Sequence, residues 1–184
     1  MIKQLNILGT RGVPAAHGAF ETFAQQFALW LVARGWKVVV YCQHDEDEPN
    51  APADLSEDTW EGIDRVHVRA RGKGPLATMN FDLRCVKDVL RRPGIDLVLG
   101  YNTAVFCLAQ RLRGRKLLIN MDGIEWKRNK WNTAAKAWFW LNEIIGAHLA
   151  HIPIADHPEI KRHLQRHGTR GIEVIPYGSP KILS

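Results

Sequence analysis

The feature that most constrains the fold is a regular alternation between short apolar segments and segments with helical periodicity. The apolar run 5–9 is followed by 19–34, in which Phe20, Phe23, Phe27 and Leu31 recur at intervals of three and four residues. The same alternation continues along the chain, with predicted strands at 37–42, 62–70, 96–100, 116–120, 152–155 and 171–175 and predicted helices at 79–90, 103–112, 132–150 and from Asp156. Such a pattern predicts an α/β fold, a doubly wound parallel sheet with helices on both faces.

Length and composition predict one globular domain over residues 1–184. Of the 184 residues, 46% are hydrophobic and 24% are charged, as in ordinary folded domains. The acidic, proline-containing segment 44–59 is predicted to be a loop. No apolar run approaches the roughly 18–20 residues that span a bilayer, and the first residues enter a strand without a signal sequence. We therefore expect a cytoplasmic protein.

Cysteine usage and net charge restrict the kinds of ligand and partner that the sequence predicts. Cys42, Cys85 and Cys107 are an odd number of cysteines without paired spacing, so we expect reduced, buried thiols and no metal site. The net charge of +6 favours partners that carry phosphate, such as nucleic acid, anionic lipid or a phosphorylated substrate. Because no predicted helix concentrates the basic residues, nucleic acid is the least favoured of these partners.

The glycine-containing loop after the first predicted strand is the first candidate binding segment. Ligands of doubly wound sheets bind beyond the carboxyl ends of the strands, which selects the loops after residues 9, 100, 120 and 155. The first of these loops contains Arg11, Gly12 and His17, and a helix opens near Gly18. Its backbone N–H groups and the helix dipole suit a phosphate, a sugar hydroxyl or a carboxylate. The loop lacks the Gly-x-Gly-x-x-Gly spacing and the P-loop lysine, which disfavours an NAD site and ATP hydrolysis.

The loop after residue 120 carries the densest set of reactive side chains. Asp122 and Glu125 supply carboxylates that could hold or deprotonate sugar hydroxyls. Trp126 supplies a ring that could stack on a sugar, and Lys127 and Arg128 supply cations for phosphates. We therefore predict substrate binding at this loop.

A structural interpretation of the same residues stays open. Asp122 before a glycine is typical of a turn, and Trp126 and Trp131 could anchor the helix at 132–150. That helix is nearly encircled by apolar residues, which burial in the core explains in large part. Its excess of aromatic residues beside basic ones also predicts a peripheral contact with a membrane surface or a partner domain. The loop after residue 100 adds Tyr101 and Asn102 to the candidate binding residues.

Four segments together resemble the N-terminal domain of GT-B glycosyltransferases. They are NILGTRGVPAAHGAFETFA at 6–24, MDGIEWKRNKW at 121–131, IADHPEI at 154–160 and VIPYG at 174–178. More closely, the chain is similar to the retaining family-4 branch that includes bacterial rhamnosyltransferases of cell-surface polysaccharide synthesis. The resemblance covers nearly the whole chain and implies a Rossmann-like domain.

The resemblance also implies a division of roles. In this family the N-terminal domain mainly binds the acceptor, the C-terminal domain binds a nucleotide-diphosphate sugar as donor, and no metal or other cofactor is required. A glycine pair usually opens the first helix, and its positions match Gly18 and Ala19 here. Many relatives place a histidine opposite the reacting sugar, and the matching residue here is Asp122. Because family members are about twice as long, we expect the donor domain to lie outside this sequence.

The function predicted from these observations is acceptor binding in a retaining glycosyltransferase. The enzyme would move a sugar from a nucleotide-sugar donor to a saccharide or lipid-linked saccharide, at the cytoplasmic side of a membrane, and this half alone would be inactive. Two alternatives remain: a stand-alone Rossmann-type module that binds a nucleotide or a phosphosugar, and a basic nucleic-acid binder.

Overall fold

An eight-stranded sheet forms the centre of the computed structural model, which describes residues 3–16 and 18–176. His17 and residues 177–178 of the predicted final turn lie outside the described residues. The strands are β1 (Gln4–Leu8), β2 (Lys37–Asp45), β3 (Ser56–Trp60), β4 (Ile63–Ala70), β5 (Ile95–Leu99), β6 (Leu117–Asn120), β7 (Ile152–Ala155) and β8 (Glu173–Val174).

The strand order confirms the predicted doubly wound topology. The order is β3-β4-β2-β1-β5-β6-β7-β8, and every neighbouring pair is parallel except β3 and β4. The chain leaves β1 toward β2 on one side and later returns to place β5 on the other side. The switch point of the sheet therefore lies between β1 and β5, where open α/β sheets form their binding crevice.

Helices cover both faces of the sheet. They are α1 (Ala19–Val32), α2 (Pro75–Val89), α3 (Leu108–Leu112), α4 (Thr133–Leu149) and α5 (Pro158–Arg166), with 3-10 turns at Ala104–Cys107 and Glu125–Lys127. One apolar cluster packs α1 on the sheet through residues such as Ala24, Ala28 and Leu31. A second packs α2, α4 and α5 on the opposite face. All five residues of β1 are buried, as expected for a central parallel strand.

Several boundaries differ from the sequence prediction. The predicted loop at 44–59 contains the end of β2 and most of β3, because β3 is a polar edge strand that β4 holds through backbone hydrogen bonds rather than through apolar alternation. Helix α2 begins earlier than expected, with Pro75 in its first turn. Helix α5 begins at Pro158, two residues later than expected, because the N-cap is His157, whose Nδ1 accepts from the Glu159 N–H at 3.1 Å.

A buried ion pair ties the central strands to the chain before β6. Asp96 in β5 is completely buried and receives two hydrogen bonds from the Arg115 guanidinium, at 2.5 and 2.6 Å. Asn6 donates to the same carboxylate at 2.9 Å, as does Gln110 at 2.9 Å. The carboxylate is thus saturated with donors, which buried charge requires.

Two further expectations can be compared with the structure directly. Cys42, Cys85 and Cys107 are free and buried, which confirms the predicted reduced thiols. Burial raises the pKa of the Cys85 thiol, so this group is a poor nucleophile. Within the described residues, none of the helices has the length and apolar character needed to cross a membrane.

Candidate functional site

The loops selected by the sequence meet at the carboxyl edge of the sheet. Hydrogen bonds join the strand ends that carry them: the Gly100 N–H donates to the Asn120 carbonyl at 3.1 Å, and the Met121 N–H donates to the Ile154 carbonyl at 2.7 Å. The loops after β5, β6 and β7 are therefore held in fixed positions relative to one another.

The loop after β1 begins at a glycine that no other residue could replace without a backbone shift. Gly9 has φ +79°, and a Cβ added there would lie 2.3 Å from the Leu99 carbonyl oxygen of β5. The side chains of α1 then bind the loop: Glu21 accepts from the Arg11 N–H at 3.0 Å, and Gln25 accepts from the Ala15 N–H at 2.6 Å. These amides were predicted to face a ligand, but here they bind residues of the helix.

A cavity of about 260 Å³ opens at the switch point between β1 and β5. Its polar lining includes Thr10, Arg11, Glu21, Asp82, Asn102 and Thr103. The Thr103 hydroxyl donates to Asp82 at 2.7 Å, and burial raises the pKa of the Asp82 carboxyl to about 6. Asp82 therefore changes its protonation state close to neutral pH, which suits proton transfer.

A second cavity, of about 680 Å³, lies on the other side of the same loop. Arg11 and Gly12 line it together with residues from the end of β2 and the middle of β4. The His44 and His67 rings are joined by an Nε2–Nδ1 contact of 2.9 Å, and His67 also lies 3.1 Å from the Asp58 carboxylate. The cavity thus combines cationic, anionic and neutral donor groups, as sites for polar ligands do.

Asp122 lies in a strained turn directly after β6. Its φ is +34°, an unusual value for a residue with a side chain, and its N–H donates to the Asn120 Oδ1 atom at 2.9 Å. Burial raises the pKa of the Asp122 carboxyl, and the negative charges of Asp156 and Glu125 raise it further. Strain and a shifted pKa at one residue are typical of functional positions.

Glu125 and Tyr101 brace the loop after β6 from within. The Tyr101 hydroxyl, on a fully buried side chain, donates to the Gly123 carbonyl and accepts from the Glu125 N–H, both at 2.9 Å. The Glu125 carboxylate accepts from the Trp131 indole at 3.0 Å and pairs with Arg128 at 3.0 Å. The role of Glu125 and Tyr101 in substrate binding stays a prediction, because both side chains already have hydrogen-bond partners inside the protein.

Trp126 and Lys127 occupy the 3-10 turn after these residues. The Trp126 indole donates to Glu143 of α4 at 3.1 Å, and the Lys127 ammonium lies 5.3 Å from the centre of the indole ring. Trp126 is half-buried, whereas Lys127 is exposed. One edge of the ring is thus fixed to α4, in agreement with the anchoring interpretation, while the cation remains accessible.

The predicted site residues fall into two groups. Arg11 lines both cavities, Gly12 lines the larger and Asn102 the smaller, whereas Gly18 and Ala19 form the N-cap and first residue of α1. The group at 122–128 lies in a separate loop, and its residues are not among the described residues that line either cavity. The Tyr101–Asn102 segment connects the groups, since the Trp138 indole of α4 also donates to the Asn102 carbonyl at 2.8 Å.

Sequence reasoning missed the residues that come from α2 and from β2–β4. Asp82 lies within an amphipathic helix, where a carboxylate is ordinary, and only the tertiary fold brings it opposite Thr103. His44 was detectable in principle, because it follows the apolar run of β2, whereas His67 lies within β4 between Val66 and Val68. The pairing of Cys42 with His67 in the parallel register decides that the two rings meet.

The strand order and the crevice at its switch point define a Rossmann-like domain of the GT-B type. Similar folds occur in UDP-N-acetylglucosamine 2-epimerase from Rickettsia bellii (TM-score 0.60, 13% identity), sucrose-phosphate synthase from Thermosynechococcus elongatus (0.63, 13%) and α,α-trehalose 6-phosphate synthase from Burkholderia multivorans (0.60, 9%). Each match covers 96% of this chain. The matched part is 45% of the epimerase chain, 90% of the sucrose-phosphate synthase chain and 48% of the trehalose 6-phosphate synthase chain. This chain therefore spans less than half of the epimerase and of the trehalose 6-phosphate synthase.

The chain belongs to the family described as a domain of unknown function, DUF1972, whose profile matches residues 2–180. No curated protein matches the sequence. At these levels of identity the structural matches establish the fold alone.

Proposed function

We propose that this chain is the N-terminal, acceptor-binding part of a glycosyltransferase, which moves a sugar from a nucleotide-sugar donor to a saccharide or lipid-linked saccharide. The observation that carries the proposal is the polar cavity at the switch point, where Arg11, Glu21 and Asp82 surround space for a hydroxylated ligand. Two of the structures with this fold are named as synthases of sugar phosphates. The epimerase and the trehalose 6-phosphate synthase are about twice as long as this chain, which leaves room for a second domain that binds the donor.

The proposed reaction requires a base and a stabilised leaving group. The acceptor hydroxyl loses its proton as its oxygen bonds to the sugar C1, and the bond from C1 to the diphosphate oxygen breaks. Asp122 is our candidate for the catalytic carboxylate, because burial raises its pKa and makes it a better base. Asp82 meets the same requirement from the cavity side. Arg11 and Arg128, both about half-exposed, are the cations that would contact phosphate.

The loop after β1 would face the donor once the two domains close. In this proposal, the segment 12–19 would lie under the donor phosphates, and the N-terminus of α1 would add its dipole; the predicted role of His17 stays a prediction, because this residue lies outside the described ones. The backbone N–H of Arg11 already donates a hydrogen bond to the Glu21 carboxylate. Binding of a phosphate there therefore has to displace or protonate a carboxylate, and the exposed Arg11 guanidinium compensates that charge.

The finer assignment rests on the sequence motifs. They favour the retaining family-4 branch, rhamnosyl or other hexosyl transfer, and a role in surface polysaccharide synthesis at the cytoplasmic face of a membrane. In this scheme the nucleotide sugar is a substrate and the enzyme uses no resident cofactor. Nucleic acid is not among the proposed partners.

The proposal includes a peripheral contact between α4 and an anionic membrane surface. Trp140 and Leu141 of α4 are 44% and 46% exposed, and the exposed cations Lys127, Arg128 and Lys130 precede the helix. Exposed aromatic and aliphatic side chains next to cations are typical of helices that bind anionic interfaces. A lipid-linked acceptor would be presented at such a surface.

Sugar transfer by the chain joined to its native downstream sequence tests the proposal. The protein is incubated with a panel of nucleotide sugars and lipid-linked saccharide acceptors, and the product is detected by mass spectrometry. We expect transfer that is abolished in Asp122→Asn and retained in Asp64→Asn, a control at a surface ion pair with Lys37. A folded protein that transfers no sugar from any donor would contradict the proposal.

Calorimetry on the chain alone separates the alternative function. A stand-alone nucleotide or phosphosugar module binds its ligand with micromolar affinity without a second domain. We expect an acceptor-binding half to bind nucleotide sugars weakly in isolation, because in the proposed enzyme most donor contacts come from a second domain.

A further inference from the structure

A cluster of one carboxylate and two imidazoles lies between α4 and α5, apart from both cavities. The potential ligand atoms of Glu143, His163 and His167 all lie within 4.8 Å of one another. Glu143 is 2% exposed and His163 is 8% exposed, whereas His167 is at the surface. The cluster thus has a buried base and one side that solvent reaches.

The Glu143 carboxylate has little positive charge to balance it. Its Oε1 atom lies 2.8 Å from the His163 Nε2 atom, and its Oε2 atom accepts from the Trp126 indole at 3.1 Å. Among the described residues, His163 is the ion-pair partner recorded for Glu143, and no lysine or arginine is. A buried carboxylate is stable only when a cation or several donors compensate its charge.

The spacing of the two histidines places both rings on one face of a helix. His163 lies in the last turns of α5, and His167, four positions later, is the C-cap of the helix, so their side chains project in the same direction. The rings meet edge to face with centroids 4.8 Å apart. Paired histidines at this spacing, together with a carboxylate from another element, are a common ligand set for Zn²⁺.

The distances suit a small divalent cation after a limited adjustment. Ligand atoms around a tetrahedral Zn²⁺ lie about 3.4 Å apart, given metal–ligand bonds of about 2.0–2.1 Å. The Glu143–His163 contact of 2.8 Å has to open slightly, and the His167 ring has to close by at most about 1.4 Å. His167 can make this movement because it is exposed at the helix C-terminus.

We propose that Glu143, His163 and His167 form a Zn²⁺ site with three protein ligands and a fourth position open to water. The cation replaces the hydrogen bond between Glu143 and His163. The Trp126 indole donates to the other oxygen of the Glu143 carboxylate and so fixes the orientation of this metal ligand. The site would stabilise the junction of α4 and α5, and through Trp126 it would fix the loop that carries Asp122.

The first test is Zn²⁺ binding by the purified chain, free of affinity tags and treated with a chelator. Isothermal titration calorimetry with zinc chloride is expected to give one site per chain with a dissociation constant in the micromolar range or below. Co²⁺ added to the same apoprotein is expected to give the visible absorption of a four-coordinate centre. An absence of saturable binding at one equivalent would overturn the proposal.

Variants locate the site. His167→Ala removes an exposed ligand without opening the core and is expected to weaken Zn²⁺ binding at least tenfold. His148→Ala removes another exposed histidine, in the last turn of α4, and is expected to leave binding unchanged. Equal affinities of these two variants would assign the binding to surface histidines in general and reject the site.

Substitutions of Glu143 and of its indole donor Trp126 give independent readouts. Glu143→Gln keeps the shape of the side chain but removes its charge, and it is expected to abolish the Co²⁺ spectrum. Trp126→Phe removes the indole donor and is expected to weaken binding about tenfold, as loss of an outer partner does. Circular dichroism confirms that each variant is folded, and a folded Glu143→Gln variant with the wild-type spectrum would also refute the assignment.

Discussion

Asp82 is the clearest case of a single residue whose environment sets a measurable property. Burial raises the pKa of its carboxyl from 3.8 to about 6, while the hydrogen bond from Thr103 partly offsets that effect. The unfolded chain releases this proton near pH 4, whereas the folded chain holds it to about pH 6. The free energy of unfolding therefore falls as the pH rises from about 4 to about 6, because the folded state binds the proton more tightly in that range.

We predict that Asp82→Asn removes this part of the pH dependence. Between pH 4 and pH 6 the wild type should lose on the order of 2 kcal/mol of unfolding free energy relative to the variant. Urea denaturation at several pH values measures it. Thr103→Val removes the hydroxyl that donates to Asp82 and should extend the loss of stability to higher pH. If the unfolding free energies of the wild type and of Asp82→Asn change in parallel with pH, Asp82 has an ordinary pKa and the prediction is wrong.

Single residues were predictable from the sequence where the chain itself places them near a strand end. Arg11, Gly12 and Asn102 follow strands directly and line the cavities, although their binding role stays a prediction. Asp82, His67 and Glu143 could not be selected, because their importance depends on Thr103, His44 and Trp126, which lie 21, 23 and 17 residues away in the sequence, respectively. Helical or strand periodicity contains no information about such contacts.

Among the elements, the junction of β5 with the segment before β6 depends on the Asp96–Arg115 pair. We predict that Arg115→Met lowers the free energy of unfolding by about 3–5 kcal/mol, because it leaves a completely buried carboxylate without its cation. The matched control is Arg162→Met, which removes an exposed partner of Glu159 and should cost less than about 1 kcal/mol. Equal losses in urea denaturation would contradict this account.

Helix α4 should bind anionic vesicles through its exposed apolar residues. We predict that the double variant Trp140→Ala/Leu141→Ala weakens sedimentation with phosphatidylglycerol vesicles about tenfold, because partial insertion of two such side chains is worth on the order of 1.4 kcal/mol. Trp30→Ala on α1 is the control, since Trp30 is 51% exposed on a different helix. Loss of binding in the Trp30 variant alone would assign the contact to the other face of the molecule.

Elements with strong apolar patterns were found from the sequence, and the polar edge strand was not. The runs that became β1, β2 and β5 are buried, so their composition reflects their position. β3 has the sequence SEDTW and lies at the border of the sheet, with its three central residues exposed. Its strand conformation comes from pairing with β4, which a local reading of composition cannot detect.

At the scale of the whole molecule, stability should decrease from the centre of the sheet to its borders. We predict that the amides of β1 and β5 exchange with deuterium only through global unfolding, while those of β3 and β8 exchange sooner through local opening. The reason is that β1 is buried throughout and has a strand on each side, whereas β3 is mostly exposed. Hydrogen exchange followed by mass spectrometry measures this order, and uniform rates across the sheet would disprove it.

The two borders of the sheet also bear on how copies of this protein behave at high concentration. On one side, β3 is a five-residue edge strand whose charged side chains Glu57 and Asp58 already form ion pairs with Arg92 and Arg65. On the other side, β8 offers only two residues for pairing. A short, charged edge strand at one border and a two-residue strand at the other both oppose growth of a continuous intermolecular sheet. We therefore expect little tendency to form fibrils, although the interior strands are rich in valine, leucine and isoleucine.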